Sequence, residues 1–410
     1  MNILVQKFGG TSVANTKKIK NVARRVCQTR EKGENVVVVI SALGDTTDRL
    51  VDLAYEIAER PREREMDMLL STGEQISVAL LSMAIHELGY EAISFTGAQV
   101  GLVTDEAHTK AKIIDVKVGR VIEELQRGTI VIVAGFQGVT LDDHITTLGR
   151  GGSDTTAVAL AAALGAKVCE IYTDVEGVFT ADPRLVPEAK KLARVSYEEM
   201  LEMAATGARV LQLRSVEFAR NYGVVIHVRS SFSSEEGTWI AGDEERMEKA
   251  IISGVTHDAK EAKVTVFDVP DRPGVAAELF QSLAGENINV DMIIQNVSEE
   301  AKTAISFTVT KEDLAKAAEI SEDFAVGLGA GGITVDEDIA KVSLVGAGMR
   351  THPGVAADMF TALAENDINI EMISTSTIKV SCVIKAEDVK KAVSAIHKKF
   401  GLDQGVVRRG

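Results

Sequence analysis

The chain has 410 residues, of which 45% are hydrophobic, enough for two or three domains with sizeable cores. Its net charge of −15 argues against nucleic acid or an acidic membrane as the main partner. The three cysteines, Cys27, Cys169 and Cys382, lie far apart without metal-ligand spacing, as expected of small core residues in a reducing compartment. With neither a signal-peptide pattern nor an apolar run of membrane-spanning length, the sequence predicts a cytoplasmic globular protein.

The first turn of interest opens the chain. Residues 2–5 predict a strand, and a helical pattern covers residues 17–31. Between them, residues 7–12 read Lys-Phe-Gly-Gly-Thr-Ser. Glycine lets a backbone approach a ligand closely, and a helix N-terminus favours an anion. Taken alone, the lysine could equally be a solvated charge at a strand end.

A second turn of the same kind lies near the middle of the chain. Residues 129–134 form a β-branched run typical of a strand buried on both faces, and residues 157–164 are strong helix formers. The glycine-rich segment between them offers Ser153 or Asp154 as a helix N-cap. Arg150 adds a planar fork that suits a carboxylate or a phosphate. Two basic, glycine-rich turns in one domain indicate an anion site, with a polyphosphate as the anion.

Strands and helices alternate through about residue 228, which predicts a mostly parallel sheet sandwiched by helices. Ligands of such sheets bind beyond the carboxyl ends of the strands. Polar loops follow strands at residues 41–47 and 173–184, and Glu74 is expected just before an apolar helix at residues 76–88. The other clear strands are predicted at residues 36–40, 168–172 and 224–228.

An internal repeat occupies the C-terminal part of the chain. Residues 273–277 (Pro-Gly-Val-Ala-Ala) recur eighty residues later as 353–357, and each copy predicts an α+β unit of strand, turn, helix, two strands and helix. Such units leave sheet edges to cover, so pairing between copies or between chains is expected. The predicted domains are residues 1–229, a linker at 230–250, and two repeats at 251–332 and 333–410.

Two common nucleotide-binding signatures are excluded. The chain lacks the G-x-x-x-x-G-K-[ST] pattern of a P-loop, and Gly346-Ala347-Gly348 lacks the third glycine of a dinucleotide-binding turn. The seven histidines are scattered and predicted to be structural or exposed, so no metal site is predicted. Residues 196–199 (Ser-Tyr-Glu-Glu) match a helix capping box.

Three motifs together resemble the amino-acid kinase family: residues 7–12, 148–154 and 172–177. Within that family the chain is similar to the monofunctional aspartate kinases, and its repeat is similar to their two C-terminal ACT domains. The resemblance implies transfer of a phosphoryl group from ATP to L-aspartate, giving 4-phospho-L-aspartate for lysine, threonine and methionine biosynthesis. It also implies Mg²⁺, bound mainly through the ATP phosphates.

The resemblance implies roles for individual residues as well. Lys7 and Asp154 are implied to be catalytic, Arg150 to bind the α-carboxylate of aspartate, and Glu74 to bind its ammonium. Many family members have lysine where this chain has Arg209. The further implied aspartate contacts are Thr47, Gly151, Gly152 and Ser153. The implied ATP contacts are Lys7, Phe8, Gly9, Gly10, Ser41, Ser153, Thr173, Asp174, Phe179, Asp182, Arg184, Arg209 and Val210.

Regulation and assembly also follow from the resemblance. Threonine is implied as an effector, with a dimer formed through the repeats. Relatives inhibited jointly by lysine and threonine usually have the sequence Ser-Thr-Ser-Glu where residues 374–377 of this chain read Ser-Thr-Ser-Thr. Because Thr377 replaces the glutamate, lysine is expected to add little to inhibition by threonine. Some relatives also make a small subunit from an internal start, for which Met247 is a candidate. The implied threonine contacts are Asp271, Gly274, Ala276 and Gln295.

Two other classes of function stay open. A sister kinase would act on glutamate, acetylglutamate, carbamate or a nucleotide; an N-acylated substrate has no ammonium to pair with Glu74. A non-catalytic amino-acid sensor would carry a relict kinase domain, and loss of Lys7 or Arg150 would mark it. Both residues are present.

Overall fold

The computed structural model describes residues 1–242, 252–296, 302–350, 352 and 354–404, which form two compact units. The first unit comprises Met1–Val178, Lys191–Ala205 and Arg209–Met247. The second comprises Phe179–Lys190, Thr206–Ala208 and Glu248–Gly410. Met247, Pro353 of the repeat and residues 243–250 of the predicted linker lie outside the described residues.

Eight strands of the first unit form one large sheet, in the order β10-β12-β11-β9-β1-β2-β6-β3. Neighbouring strands are parallel, apart from the antiparallel pair β11 and β12. A smaller sheet has the order β5-β4-β7-β8. The bounds are β1 (Ile3–Phe8), β2 (Asn35–Ile40), β3 (Ala92–Phe95), β4 (Leu102–Thr104), β5 (Ile113–Val116), β6 (Ile130–Ala134), β7 (Gln137–Val139), β8 (Ile145–Thr147), β9 (Val168–Thr173), β10 (Arg194–Ser196), β11 (Val225–Ser230) and β12 (Thr238–Ala241).

The hydrophobic runs explain why the large sheet has buried centre strands. All five residues of β6 are buried, as are the last five of β2, so both faces of these strands must be covered. This confirms the predicted fold class of a mostly parallel sheet with helices. Strand β12 lies within the predicted linker and pairs with β10 and β11.

The helices of the first unit are α1 (Thr16–Glu31), α2 (Thr46–Ile57), α3 (Glu63–His86), α4 (Gly119–Gln126), α5 (Gly152–Ala163), α6 (Tyr197–Ala205) and α7 (Leu213–Tyr222). Helix α3 is long and apolar enough to cross a membrane, yet half of its most apolar window is buried inside the unit, as in a core helix. The predicted capping box is confirmed at α6, where Ser196 Oγ accepts from the Glu199 N–H and the Glu199 carboxylate accepts from the Ser196 N–H.

The second unit holds two four-stranded sheets, β15-β16-β14-β17 and β13-β18-β20-β19. Each is covered by helices that bury apolar residues, as expected for α+β repeats. The strands are β13 (Gly254–Asp258), β14 (Glu261–Pro270), β15 (Ile293–Asn296), β16 (Lys302–Thr310), β17 (Gly332–Asp336), β18 (Ile339–Val345), β19 (Met372–Thr375) and β20 (Lys379–Lys385). The helices are α8 (Val275–Gly285), α9 (Leu314–Leu328), α10 (Val355–Ala364) and α11 (Val389–Lys399).

The two repeats are not consecutive blocks. Strand β13 lies inside the range predicted for the first repeat, residues 251–332, but it pairs antiparallel with β18 of the second, with Gly254 opposite Val345. The sheet of the first repeat is therefore inserted between two parts of the second. An ion cluster joins the repeats: Lys341 is 2% exposed, lies 2.5 Å from Glu261, and also pairs with Asp291.

Candidate functional site

An ion pair joins the two glycine-rich turns. Lys7 stands near the carboxyl end of β1, and its ammonium lies 2.5 Å from a carboxylate oxygen of Asp154. Both side chains are largely shielded, at 12% and 9% exposure. Asp154 lies in the first turn of α5, where the helix N-terminus stabilises a negative charge. The two residues that the sequence singled out as catalytic are thus in direct contact.

The start of α5 differs from the prediction that Ser153 or Asp154 caps it. The N-cap is Gly151, with φ 76° and ψ 9°, a left-handed conformation that glycine adopts without strain. Ser153 and Asp154 lie inside the helix and are buried. The N–H of Gly152 donates to the Gly149 carbonyl at 2.9 Å, and that of Asp154 to the Gly151 carbonyl at 3.1 Å. These two helix-terminal N–H groups are therefore already engaged.

The first glycine turn is held against its neighbours by backbone contacts. The Gly10 carbonyl accepts from the Gly44 N–H at 3.1 Å, and a Cβ added to Gly10 would lie 3.0 Å from the Ala42 carbonyl oxygen. The Gly9 N–H donates to the Tyr172 carbonyl at 3.3 Å. The Gly9 N–H is therefore engaged by strand β9 in this conformation, and the predicted contact of Gly9 with ATP stays a prediction.

Glu74 is a buried carboxylate without a cationic partner. Helix α3 begins at Glu63, so Glu74 lies inside the helix and the prediction that it precedes one is wrong. The side chain is 3% exposed; one oxygen accepts from the Ala42 N–H at 3.1 Å, and the other has no hydrogen-bond partner among the described residues. Burial raises the pKa of Glu74 to about 7. A ligand ammonium would satisfy this group.

Sequence reasoning missed a second buried carboxylate on α3. Asp67 is fully buried and accepts from the Thr147 hydroxyl at 2.5 Å and the Thr109 N–H at 3.0 Å; the His108 ring nitrogen lies 2.6 Å away. These bonds fix the segment that leads from β8 into the second glycine turn. Its spacing of seven residues from Glu74 places both carboxylates on one helix face, which is the signal that could have found it.

Two residues at the start of α7, Gln212 and Arg214, also contact the second glycine turn or the residue before it. Neither was predicted from the sequence. The Arg214 guanidinium donates to the Leu148 carbonyl at 2.8 Å and to the Ala111 carbonyl at 3.0 Å. The Gln212 side chain packs so closely on Gly151 that an added Cβ would lie 1.7 Å from it. No sequence motif marks such supporting residues, because their role depends on tertiary placement.

The other predicted aspartate contacts lie around the same strand ends. Thr47 is in the first turn of α2, half-buried. Arg150 is exposed in the loop before α5. Ser153 faces Gly135, where an added Cβ would lie 2.7 Å from the Ser153 side chain. A Cβ added to Gly152 would lie 2.8 Å from Leu148 and 3.1 Å from Phe136, so neither glycine leaves room for a side chain.

The predicted ATP contacts divide between the two units. Thr173 and Asp174 follow β9 in the first unit, and the Thr173 hydroxyl donates to Asp174 at 3.1 Å. Ser41 follows β2, while the Phe8 ring is fully buried against Tyr172 at 4.6 Å between centroids. Two further predicted contacts, Arg209 and Val210, form the turn between α6 and α7.

Phe179, Asp182 and Arg184 belong to the second unit, so the first unit alone does not bring all the predicted ATP contacts together. Arg184 pairs with Asp182 at 2.7 Å, and this hydrogen-bonded pair lowers the pKa of the Asp182 carboxyl.

The predicted effector residues lie in the first repeat. Asp271, Gly274 and Gln295 are exposed, and Ala276 is half-buried. Gly274 is the N-cap of α8, with φ 99°. Thr377 is exposed and lies in the turn between β19 and β20.

Comparison with known proteins agrees with this arrangement. The amino acid kinase family model matches residues 2–230, and an ACT domain model matches residues 268–323 and 342–400. The aspartokinase of Mycolicibacterium smegmatis is 55% identical, over 100% of this chain and 99% of that protein. The aspartokinase of Pseudomonas aeruginosa is 52% identical, over 98% of each.

A solved structure supports the same assignment at the level of the fold. E. coli aspartokinase III, in complex with aspartate and ADP, superposes with a TM-score of 0.83 at 26% identity, covering 98% of this chain and 100% of that one. The family models, the similar sequences and the shared fold together lead to one conclusion. The chain belongs to the amino acid kinase family and, within it, to the aspartokinases.

Proposed function

We propose that this chain transfers the terminal phosphoryl group of ATP to the side-chain carboxylate of L-aspartate, giving ADP and 4-phospho-L-aspartate. The observation that carries the proposal is Glu74, a buried carboxylate whose second oxygen has no hydrogen-bond partner among the described residues. Leaving such a group unpaired is costly, and an amino-acid ammonium is the cation that would pair with it. The E. coli relative binds aspartate and ADP.

Aspartate carries two carboxylates and one ammonium, and the site residues divide among them. Glu74 takes the ammonium, and the exposed guanidinium of Arg150 takes the α-carboxylate through its two parallel donors. The side-chain carboxylate is then left to react. The further contacts in this proposal are Thr47, Ser153, Gly151 and Gly152.

The chemistry places few demands on proton transfer. A carboxylate is already ionised at pH 7, so the nucleophile requires no general base. The reaction does require neutralisation of negative charge on a loose, in-line transition state. Lys7 supplies a positive charge for the transferring phosphoryl group, and Asp154, 2.5 Å from the ammonium, positions it. The acyl phosphate product and ADP form without any proton transfer.

Magnesium would neutralise charge on the ATP phosphates during transfer. Among the residues that the structure describes, no cluster of three or more His, Cys, Asp or Glu side chains could hold a metal ion. On the protein side, we assign Ser41, Thr173, Asp174, Arg209 and Val210 to ATP, with Phe8, Gly9, Gly10, Phe179, Asp182 and Arg184 resting on the resemblance alone.

We further propose feedback control by threonine at the first repeat. The Asp271 carboxylate would accept from the ammonium, the turn at Gly274 would face the carboxylate, and Gln295 would bond the hydroxyl, with Ala276 beside them. One solved structure of the E. coli relative contains lysine and aspartate. Asp271→Ala should lose threonine inhibition while keeping uninhibited kcat; inhibition as tight as in the parent would place the effector elsewhere.

The proposal extends to the cellular location, the biosynthetic pathway and the oligomeric state of the protein. A cytoplasmic enzyme of lysine and threonine biosynthesis, forming a homodimer or larger assembly through its ACT domains, is consistent with these features. A small subunit starting near Met247 would appear as a second species in a mass spectrum of the natively expressed protein.

An ADP-release assay tests the main proposal. L-Aspartate, L-glutamate and N-acetyl-L-glutamate are compared at equal concentration, with and without Mg²⁺. We expect turnover that depends on L-aspartate and Mg²⁺. Equal or faster turnover with N-acetyl-L-glutamate would assign the chain to a sister kinase instead, and no turnover with any acceptor would favour a sensor.

A further inference from the structure

A pocket of about 460 Å³ opens in the first unit. Its walls come from α1, from Leu4 of β1, from β9 and from β11. None of the predicted site residues lines it. The volume falls in the range of pockets that bind small molecules.

The lining of this pocket is basic, although the whole chain is acidic. Four cationic side chains line it, against two acidic ones, Glu34 and Glu170. The net charge of the chain is −15, so a positive lining does not follow from overall composition. The four cations are Arg24, Arg25, Lys32 and Arg229.

One of the acidic groups is already neutralised within the protein. The Glu170 carboxylate lies 3.0 Å from the Arg229 guanidinium. It also accepts from the Gln6 amide at 2.8 Å and the Tyr172 hydroxyl at 3.0 Å. The Arg229 charge is thus balanced, and the uncompensated positive charge of the pocket resides on α1 and its C-terminal end.

The two arginines of α1 that line the pocket have only neutral partners among the described residues. Arg24 donates to the Asn21 side chain at 2.7 Å, and Arg25 donates to the Ser233 carbonyl at 3.0 Å. Throughout the described part of the chain, no carboxylate lies within 4 Å of either guanidinium. Arg25 also lies over the Tyr172 ring, 4.8 Å from its centroid, which holds the guanidinium in one orientation. Two guanidinium groups without an acidic partner beside a pocket suit an anion better than a neutral ligand.

We propose that this pocket binds a small polyanion, a metabolite carrying phosphate or carboxylate groups, with Arg24 and Arg25 as its principal contacts. One lining residue, Tyr172 of β9, contacts the first glycine turn. The Tyr172 ring stacks on Phe8, and the Tyr172 carbonyl accepts from the Gly9 N–H. An occupant that contacts Tyr172 therefore adjoins the turn that follows Lys7.

Isothermal titration of the full chain with inorganic pyrophosphate, and separately with citrate, tests the proposal in metal-free buffer at fixed ionic strength. We expect saturable binding of at least one probe, weakened about tenfold or more in Arg24→Gln and in Arg25→Gln. The stronger probe identifies the anionic group that the site prefers. Arg127→Gln, which makes the same charge change at an exposed arginine directly after α4, should bind as the parent does.

Lys7→Ala separates this pocket from the kinase site. Pyrophosphate binding that survives in Lys7→Ala but weakens in the two α1 variants supports the proposal, whatever the outcome of the kinase assay. Binding that disappears in Lys7→Ala and is unchanged in both α1 variants would place the anion at the glycine turns and overturn it. Absence of binding to the parent would do the same. Arg24 is exposed, so its variant keeps the test open if Arg25→Gln does not fold.

Discussion

Buried charge is handled in opposite ways in the two units. In the first, Glu74 is 3% exposed and, among the described residues, has no cation within 4 Å and one oxygen without a partner. In the second, Lys341 is 2% exposed and contacts the carboxylates of Glu261 and Asp291. A paired internal charge holds elements of the fold together, whereas an unpaired one costs stability unless a ligand completes it. The paired Lys341 therefore indicates a structural role, whereas the unpaired Glu74 indicates a binding site.

Equivalent positions of the two repeats make the contrast sharper. Lys263 and Lys341 occupy matching positions of β14 and β18, and each pairs with a carboxylate of the other repeat, Glu371 and Asp291. Such reciprocal pairs favour contact between the two repeats of one chain. Glu74 has no cationic partner among the described residues.

The largest effect should come from breaking the paired charge. Lys341→Met leaves the buried Glu261 without its cation, and we expect a loss of about 3–5 kcal/mol in the free energy of unfolding, measured with urea. Lys316→Met, at an exposed pair with Glu319, is the control and should leave the free energy of unfolding close to that of the parent. Equal losses in the two variants would remove the distinction between buried and surface pairs.

The unpaired charge should appear as a pH dependence of stability. Burial raises the pKa of Glu74 to about 7 in the folded chain, while an unfolded glutamate titrates near its ordinary value of 4.5. Between these values the folded state holds a proton that the unfolded state has released, so stability falls as pH rises. The titration of Glu74 should change the free energy of unfolding by up to about 3 kcal/mol across this pH range.

Glu74→Gln cannot titrate and should lose that part of the slope. Unfolding of both proteins, measured at several pH values between about 4.5 and 7 without aspartate, makes the comparison. Parallel curves would mean that Glu74 is already ionised in the folded chain.

Lys7 is intermediate between the two cases, since it has a partner in Asp154 and is also proposed to contact the phosphoryl group. Lys7→Ala should lower kcat on the order of 100-fold or more, about 2.7 kcal/mol, because charge stabilisation of the transition state is lost. Lys17→Ala, on the exposed side of α1, is the matched control. A near-normal kcat with only a raised KM would show that Lys7 merely helps binding.

Sequence reasoning succeeded where periodicity and composition decide structure. The β-branched runs of β2 and β6, the helix α1 and the buried cysteines were all predicted from local pattern. It failed at Glu74 and at the start of α5. Helix α3 is interrupted in sequence by Ser71, Thr72 and Gly73, which hid its first turns.

Long-range pairing was beyond the sequence for a physical reason. The pairing of β13 with β18 of the second repeat depends on contact between distant segments, and so does the hydrogen bond from Thr147 to Asp67. Local propensity carries no information about such partners. The first glycine turn was placed correctly at the carboxyl end of β1. The second precedes α5 as predicted, but it follows β8 and not β6, because the unpredicted strands β7 and β8 lie between β6 and this turn.

The smallest predicted effect concerns a position with no charge at all. Thr377 is an exposed, neutral side chain, so lysine should add little to inhibition by threonine. Thr377→Glu should strengthen the lysine response about tenfold without altering kcat, since a charge-assisted hydrogen bond is worth about 1.5–3 kcal/mol. Lysine titrations at fixed threonine compare the two enzymes, with Thr377→Gln as an uncharged control. Superimposable curves would exclude this position from an effector site.

The most direct test of the central claim is the ratio of kcat/KM for L-aspartate to that for N-acetyl-L-aspartate, measured by ADP release. If Glu74 pairs with the substrate ammonium, the parent should prefer L-aspartate by about tenfold or more, and Glu74→Gln should lose most of that preference. A ratio that is the same in both proteins would contradict the assignment of Glu74, and with it the argument that an unpaired buried charge marks the substrate site.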